Sequence, residues 1–203
     1  MVSTEAVGLF ATLLAAFAIC ARHRMRSELD SDGPQHPVVW GIVLTSACAA
    51  SVVAKSGLLE AMPVIVALAC AAVCAATDLR TGYIFDVVTG TAALTVMAVG
   101  AIVGRTEDVF AGGATAGGLL LLLFAISRGR GMGLGDVKLA AVIGGGLGAV
   151  SSLVAIGVAF VLGSAVVCCG LLLRKAKRHD AIRFAPYLAT GALITTLFRG
   201  VSP

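Results

Sequence analysis

Residues 131–138, GMGLGDVK, place one carboxylate, that of Asp136, behind three alternating glycines at the mouth of a long hydrophobic run. An ionised Asp next to lipid is energetically costly, and glycine weakens a helix. Two local rules are therefore broken together, which is typical of positions where function outweighs stability.

The chain is too apolar to be a soluble domain. Of its 203 residues, 59% are hydrophobic and 13% are charged, and the mean hydropathy is +1.01. A single soluble core of this size could not hide so much apolar surface from water. The composition predicts an all-α, polytopic membrane protein.

The apolar runs predict about eight transmembrane helices, since a spanning helix needs about 20 predominantly apolar residues. The sixth and seventh form one unbroken block that is too long for a single crossing, so we expect it to turn near residues 148–152. The predicted spans are 2–21, 38–54, 58–77, 87–103, 109–126, 137–149, 152–173 and 182–198.

The basic residues predict the orientation of these spans. Twelve of the 15 Lys and Arg residues lie in the odd-numbered connections, and only Lys55, Arg105 and Arg199 lie on the other side. Because cytoplasmic loops carry an excess of Lys and Arg, the first set is expected to be cytoplasmic and both termini non-cytoplasmic. The twelve are Arg22, Arg24, Arg26, Arg80, Arg128, Arg130, Lys138, Arg174, Lys175, Lys177, Arg178 and Arg183.

The chain is expected to form one membrane-embedded domain, residues 1–203, in the cytoplasmic membrane. Its longest connection, residues 22–37, is too short to fold alone and carries the Asp, Gly and Pro of a flexible loop. The first span lacks a basic start and a small-residue cleavage site, so it is expected to be a retained anchor.

Two carboxylates are predicted to reach the same membrane face. Asp136 begins the sixth span, and Asp78 ends the third in the sequence CAATDLRTGYIFD. Two Asp side chains that share one proton can hydrolyse a peptide bond: one takes a proton from water while the other polarises the carbonyl and protonates the leaving amine. Burial and the like charge should raise the upper apparent pKa of the pair. The sequence does not decide which Asp is the acid.

The glycines around Asp136 have two expected roles. Gly131, Gly133 and Gly135 permit backbone conformations closed to other residues and are expected to let a substrate strand approach the chain closely. Two further pairs have small-xxx-small spacing, which predicts close packing of the fifth and sixth helices. These pairs are Gly113 with Gly117 and Gly144 with Gly148.

These motifs resemble the type IV prepilin peptidase family. GLGD at 133–136 followed by VKLAA resembles its G-x-G-D signature, DLRTGYI at 78–84 resembles the segment of its other Asp, and FAPYLATGAL at 184–193 resembles its last helix start. The resemblance covers roughly residues 60–198. It implies an integral-membrane aspartyl endopeptidase that cleaves the leader of prepilin-like substrates at the cytoplasmic face, with Asp78 and Asp136 catalytic and Gly133 and Gly135 in the active-site loop.

Two departures from the family pattern are visible. Phe85 stands where the family usually has Pro. The larger, bifunctional members also carry a tetracysteine zinc domain linked to N-methylation after the first span, whereas residues 22–37 contain no cysteine. The resemblance therefore implies cleavage without methyl transfer, and neither a metal nor a cofactor is expected.

Asp86 is the rival to Asp78 as partner of Asp136, although we prefer to interpret it as the N-cap of the fourth span. Lys138 is expected to point away from Asp136 and to anchor the helix at the lipid boundary. The acidic residues Glu28, Asp30 and Asp32 could contact the basic leader of a pilin-like precursor, or could simply form a solvated acidic loop.

Two alternative functions remain. A presenilin-like intramembrane protease shares G-x-G-D, but the Tyr-Asp and Pro-Ala-Leu motifs of that family do not occur here. A proton-coupled secondary transporter could use both Asp residues as a relay, but no internal repeat is evident. The expected partners are a pilin-like precursor and membrane lipid; nucleic acid is not expected.

Overall fold

The computed structural model describes residues 58–129, 131–172 and 183–199. This part of the chain is entirely helical apart from short connections, and it contains six helices. They are α1 (Leu58–Thr81), α2 (Asp86–Val103), α3 (Thr106–Ile126), α4 (Leu134–Leu147), α5 (Ala149–Leu172) and α6 (Ala185–Arg199).

Four of the six helices are long and apolar enough to cross a membrane. They are α1, α2, α3 and α5, whereas α6 is a shorter apolar helix. The chain is therefore a multi-pass membrane protein. The first two predicted spans, 2–21 and 38–54, lie outside the described residues, as does the loop 22–37.

The central helix is α4, which contacts each of the other five. Its 14 residues give a length of about 21 Å, shorter than the ~30 Å hydrocarbon core of a bilayer. Most of its side chains are buried, including Leu139 and Ile143. A short helix surrounded on all sides by longer ones can hold a polar residue at its end below the level of the bundle surface.

The helices α3 and α4 pack with their backbones close together, because glycines lie where they meet. A Cβ on Gly112 would overlap the carbonyl oxygen of Gly144, and a Cβ on Gly117 would lie 2.9 Å from that of Ala141. The prediction that glycines bring these two helices close is confirmed. The tightest contact, however, is made by Gly112, one position before the predicted Gly113.

The turn predicted at 148–152 is confirmed, and it is shorter than expected. Only Gly148 separates α4 from α5, and its φ of 84° lies in the region that residues with a side chain rarely adopt. The third predicted span was too short: α1 continues to Thr81, so Asp78 lies inside the helix rather than after its end.

Candidate active site

One end of the bundle holds the acidic side chains that are candidates for chemistry. It is formed by the C-terminal end of α1 and the N-terminal ends of α2, α4 and α6. We call this the carboxylate end, because it contains Asp78, Asp86 and Asp136. Contacts across it join Ile84 to Gly135 and Arg183 to Leu79. The prediction that Asp78 and Asp136 lie at the same end of the helices agrees with this arrangement.

Asp78 lies in the last turns of α1 and is only 6% exposed. The backbone N–H of Ala185, at the start of α6, and the positive charge of Arg183 both lie near its carboxylate. Its Oδ2 atom is buried and has no hydrogen-bond partner among the described residues. A buried carboxylate oxygen without a partner is unfavourable and is a feature of functional sites.

Asp136 lies in the first turn of α4 and is 9% exposed. Its Oδ2 accepts a hydrogen bond of 3.4 Å from the backbone N–H of Gly133, the residue at the N-cap position. The pKa of Asp136 is raised to about 6, first by burial and then by the negative charge of Asp78, while the Gly133 N–H acts in the opposite direction. The two carboxylates are therefore close enough to influence each other's ionisation.

The glycines before Asp136 differ in why the structure has glycine there. Neither Gly133 nor Gly135 has a positive φ, so the backbone freedom that glycine permits is not used at these two positions. Gly133 is extended, with φ −84° and ψ 151°, as any residue can be. Gly135 is required by space, because a Cβ there would lie 2.9 Å from the Cβ of Ile84.

Asp86 is not the N-cap of α2, contrary to the prediction. Phe85 occupies the cap position with φ −77° and ψ 124°, and Asp86 is the first helical residue. That φ is one that proline also adopts, so the Phe keeps the turn in which the family usually has Pro. Phe85 accepts backbone hydrogen bonds from Val88 and Thr89, of 3.0 and 3.2 Å.

The side chain of Asp86 is 72% exposed and pairs with Lys138, whose Nζ lies 2.7 Å from Asp86 Oδ1. Lys138 faces away from the buried Asp136, as expected, but it pairs with α2 instead of acting only as a lipid anchor. An exposed, paired carboxylate lacks the burial that Asp78 has. Of the two rivals, Asp78 is the one whose negative charge acts on Asp136.

The sequence did not single out the segment before α6 as part of this site. Arg183 donates a hydrogen bond to the carbonyl oxygen of Leu79, which ties the start of α6 to the end of α1. Arg183 had been grouped with the basic residues that set orientation. The matching family segment at 184–193 was the only signal available for its contact, since Leu79 is far away in sequence.

The last points concern the predicted acidic loop and the prediction that no metal is bound. Glu28, Asp30 and Asp32 lie outside the described residues. Cys70 and Cys74, one helical turn apart on α1, have their sulfurs 3.9 Å from each other. Within 58–129, 131–172 and 183–199, no group of three or more His, Cys, Asp or Glu side chains could hold a metal ion.

The family model described as the type IV leader peptidase family, Peptidase_A24, matches residues 65–172, more than half of the chain. The chain belongs to the type IV leader peptidase family. The match includes both Asp78 and Asp136 and implies a peptidase. Searches of curated proteins and of solved structures found no match.

Proposed function

We propose that this leader peptidase is an aspartyl endopeptidase in which Asp78 and Asp136 form the catalytic pair. The observation that carries the proposal is the burial of two carboxylates from different helices, at one end of the bundle and close enough for the charge of one to act on the other. Such a pair holds one proton between two oxygens that would otherwise both be ionised, which is the state that peptide hydrolysis by water requires.

The two carboxylates have different neighbours, and we use this difference to assign their roles. Both carboxylates are buried and both have a backbone N–H nearby, but Asp78 also lies near the cation Arg183, a neighbour that an ionised carboxylate prefers. Asp136, with its raised pKa, suits the protonated member. Asp78 would remove a proton from the attacking water, while Asp136 would donate its proton to the carbonyl oxygen.

Collapse of the resulting tetrahedral intermediate breaks the C–N bond: the amine leaves with the proton that Asp78 took from water, and the hydroxyl that Asp136 had protonated returns its proton to Asp136. The substrate would be a prepilin-like precursor with a basic leader, cut where the leader meets its hydrophobic stem. We place the reaction at the cytoplasmic face of the cytoplasmic membrane, and we expect no methyl transfer to the product. The first inference rests on the distribution of basic residues in the sequence, and the second on loop 22–37, which contains no cysteine.

The test compares Asp78→Asn and Asp136→Asn in the purified full-length protein, with a pilin-like precursor as substrate. Each variant is expected to lose at least about 10²–10⁴ in cleavage rate, the usual contribution of a general acid or base. Asp86→Asn is the matched control, because it removes an exposed carboxylate from the same end, and it should retain cleavage. Retained activity in Asp78→Asn together with loss in Asp86→Asn would show that the pair is wrong.

A further inference from the structure

Arg183 reaches from the start of α6 to the end of α1. It lies two residues before Ala185, the first residue of α6, and its guanidinium donates a hydrogen bond to the carbonyl oxygen of Leu79. The last four carbonyl groups of a helix have no partner within the helix, and α1 ends at Thr81, so the Leu79 carbonyl is one of these. A cation at this position also opposes the partial negative charge of the helix C-terminus. Arg183 therefore caps α1 from outside that helix.

The same segment places two positive features near one carboxylate. Asp78 directly precedes Leu79 on α1, and both the charge of Arg183 and the backbone N–H of Ala185 lie near its carboxylate. The N-terminus of a helix carries partial positive charge, and Ala185 is the first residue of α6. Both features favour the ionised carboxylate, whereas burial opposes it. The backbone N–H stays when a side chain is replaced, but the charge of Arg183 can be removed.

The start of α6 is held in place by contacts that do not involve the Arg183 side chain. Phe184, the residue before α6, packs against Phe160 of α5 with ring centroids 5.0 Å apart. A Cβ on Gly191 would overlap the carbonyl oxygen of Ala155, so α6 and α5 pack with their backbones close together. Arg183 itself is exposed. A neutral residue at this position should therefore leave the fold intact.

The other charged groups at the carboxylate end have different partners. Asp136 on α4 is the carboxyl on which the charge of Asp78 acts, and Lys138 on α4 pairs with Asp86 on α2. Among the cations of the described residues, Arg183 is the one whose charge acts on Asp78. Further titratable side chains in the described part of this end are Cys74 and Arg80 on α1, Tyr83 between α1 and α2, Arg128 after α3 and Tyr187 on α6.

We propose that Arg183 is a positioning residue of the catalytic pair: it fixes the end of α1 against the start of α6 and keeps the carboxylate of Asp78 ionised. This inference rests on the proposed function, in which Asp78 takes a proton from the attacking water, because only an ionised carboxylate can do so. Arg183 acts through Asp78 and does not itself touch the reacting atoms. Since Arg183 is exposed, ions in solution should screen its charge and weaken its effect.

The pH dependence of precursor cleavage by the purified full-length protein tests this role. On the acidic side of the profile, activity falls as the base takes up its proton, so loss of a nearby cation should move this acidic limb to higher pH. In Arg183→Gln we expect a move of about 0.5–1 pH unit, which lowers kcat/KM on the limb about three- to tenfold. Arg183→Lys keeps the charge and a hydrogen-bond donor, so its limb should match that of the wild type.

Arg128→Gln is the matched control, because it removes the same charge from an exposed arginine at the same end of the bundle. Its acidic limb should stay in place, since Arg128 is not among the groups that act on Asp78 or Asp136. In about 1 M salt, where the Debye length is about 3 Å, the difference between wild type and Arg183→Gln should narrow. An unmoved limb in Arg183→Gln, an equal move in Arg128→Gln, or no rescue by Arg183→Lys would overturn the proposal.

A second measurement does not depend on cleavage. Dicyclohexylcarbodiimide modifies a protonated carboxyl group and not a carboxylate, and mass spectrometry identifies the modified Asp. In the Asp136→Asn protein, where the second charge is absent, modification of Asp78 should begin at a higher pH when Arg183 is also replaced by Gln. The same pH dependence with and without Arg183 would contradict the proposal. If Asp78→Asn still cleaves the precursor, the proposed function fails, while this labelling still decides whether Arg183 keeps Asp78 ionised.

Discussion

The pKa of Asp136 links the proposed chemistry to a pH dependence that can be measured. Burial and the charge of Asp78 raise this pKa to about 6. The pair works with one shared proton, so the proton that is needed is lost as pH rises above the upper apparent pKa of the pair. We expect kcat/KM to fall above about pH 6, approaching tenfold per unit.

A pH profile of precursor cleavage between pH 5 and 8 measures this fall. Asp86→Asn is the control, because Asp86 is not among the groups that shift the pKa of Asp136, and its profile should match that of the wild type. A flat profile across this range contradicts the shared-proton mechanism.

The same shift predicts an effect on stability. A carboxyl whose folded pKa is raised binds its proton more tightly in the folded state, so the stabilisation is full below the unfolded value of 3.8 and is lost as pH rises through about 6. The melting temperature of the wild type should therefore fall between pH 4 and pH 7, and Asp136→Asn should reduce that fall. A thermal unfolding series in detergent at several pH values measures both, and an identical slope in the two proteins would count against the raised pKa.

Gly133 and Gly135 are the two glycines of the G-x-G-D motif, but the atoms around them differ. The Cβ of Gly135→Ala would lie 2.9 Å from Ile84 Cβ, which cannot rotate away, so the α1–α2 connection must shift. We expect a loss of stability of about 1–3 kcal/mol together with reduced cleavage. The Cβ of Gly133→Ala meets Asp136 Oδ2 at 3.5 Å and the Gly135 nitrogen at 3.9 Å, both ordinary contacts, so stability and cleavage should change little. Comparable losses in the two variants would show that the contact with Ile84 is not the cause.

At the scale of helices, the contact between α3 and α4 depends on some glycines of α3 and not on others. Gly112→Ala would force its Cβ against the carbonyl oxygen of Gly144, whereas a Cβ on Gly118 of the same helix meets no atom of the described residues within 4 Å. We expect Gly112→Ala to lower the melting temperature, and Gly118→Ala to leave it unchanged or raise it slightly, because alanine favours helix over glycine. A thiol-reactive dye can follow unfolding in a background whose other four cysteines, among them the exposed Cys168, are replaced by alanine, since Cys70 and Cys74 are fully buried in the folded protein.

Sequence could predict the helices and their order, but not the rotation of one helix against another. The apolar runs predict how many times the chain crosses the membrane, and successive connections alternate between its two faces. This alternation alone predicts that Asp78 and Asp136 lie at the same end. The choice of Gly112 over Gly113, and the pairing of Lys138 with Asp86, depend on which face each helix turns toward its neighbour. A low contrast between polar and apolar faces, usual in helices surrounded by lipid, leaves that rotation undetermined.

Long-range contacts of the site were beyond prediction for a related reason. Arg183 and Leu79 meet only because α6 returns to the end of α1, and a basic residue in a basic cluster carries no local sign of such a partner. The glycines of GMGLGDVK show the opposite difficulty. Their spacing drew attention to Asp136, but a backbone role was inferred where the structure has a steric one, at Gly135 against Ile84.

For the whole molecule, the distribution of charge between the two ends predicts which end faces the cytoplasm. At the carboxylate end lie Arg80, Arg128, Lys138 and Arg183, whereas the first turns of α1 and α3 at the opposite end contain Glu60, Glu107 and Asp108. An excess of basic residues favours the cytoplasmic side, so the proposed site should face the cytoplasm.

Single cysteines at the two ends test this orientation in a background whose six native cysteines are replaced by alanine. Tyr83→Cys reports on the α1–α2 connection, where Tyr83 is 73% exposed, and Thr106→Cys reports on the start of α3. A membrane-impermeant maleimide should label Tyr83→Cys only in inside-out vesicles and Thr106→Cys only in right-side-out vesicles, because two connections separated by one crossing lie on opposite sides. The reverse pattern would place the carboxylates outside the cytoplasm, where a leader that has not crossed the membrane could not reach them.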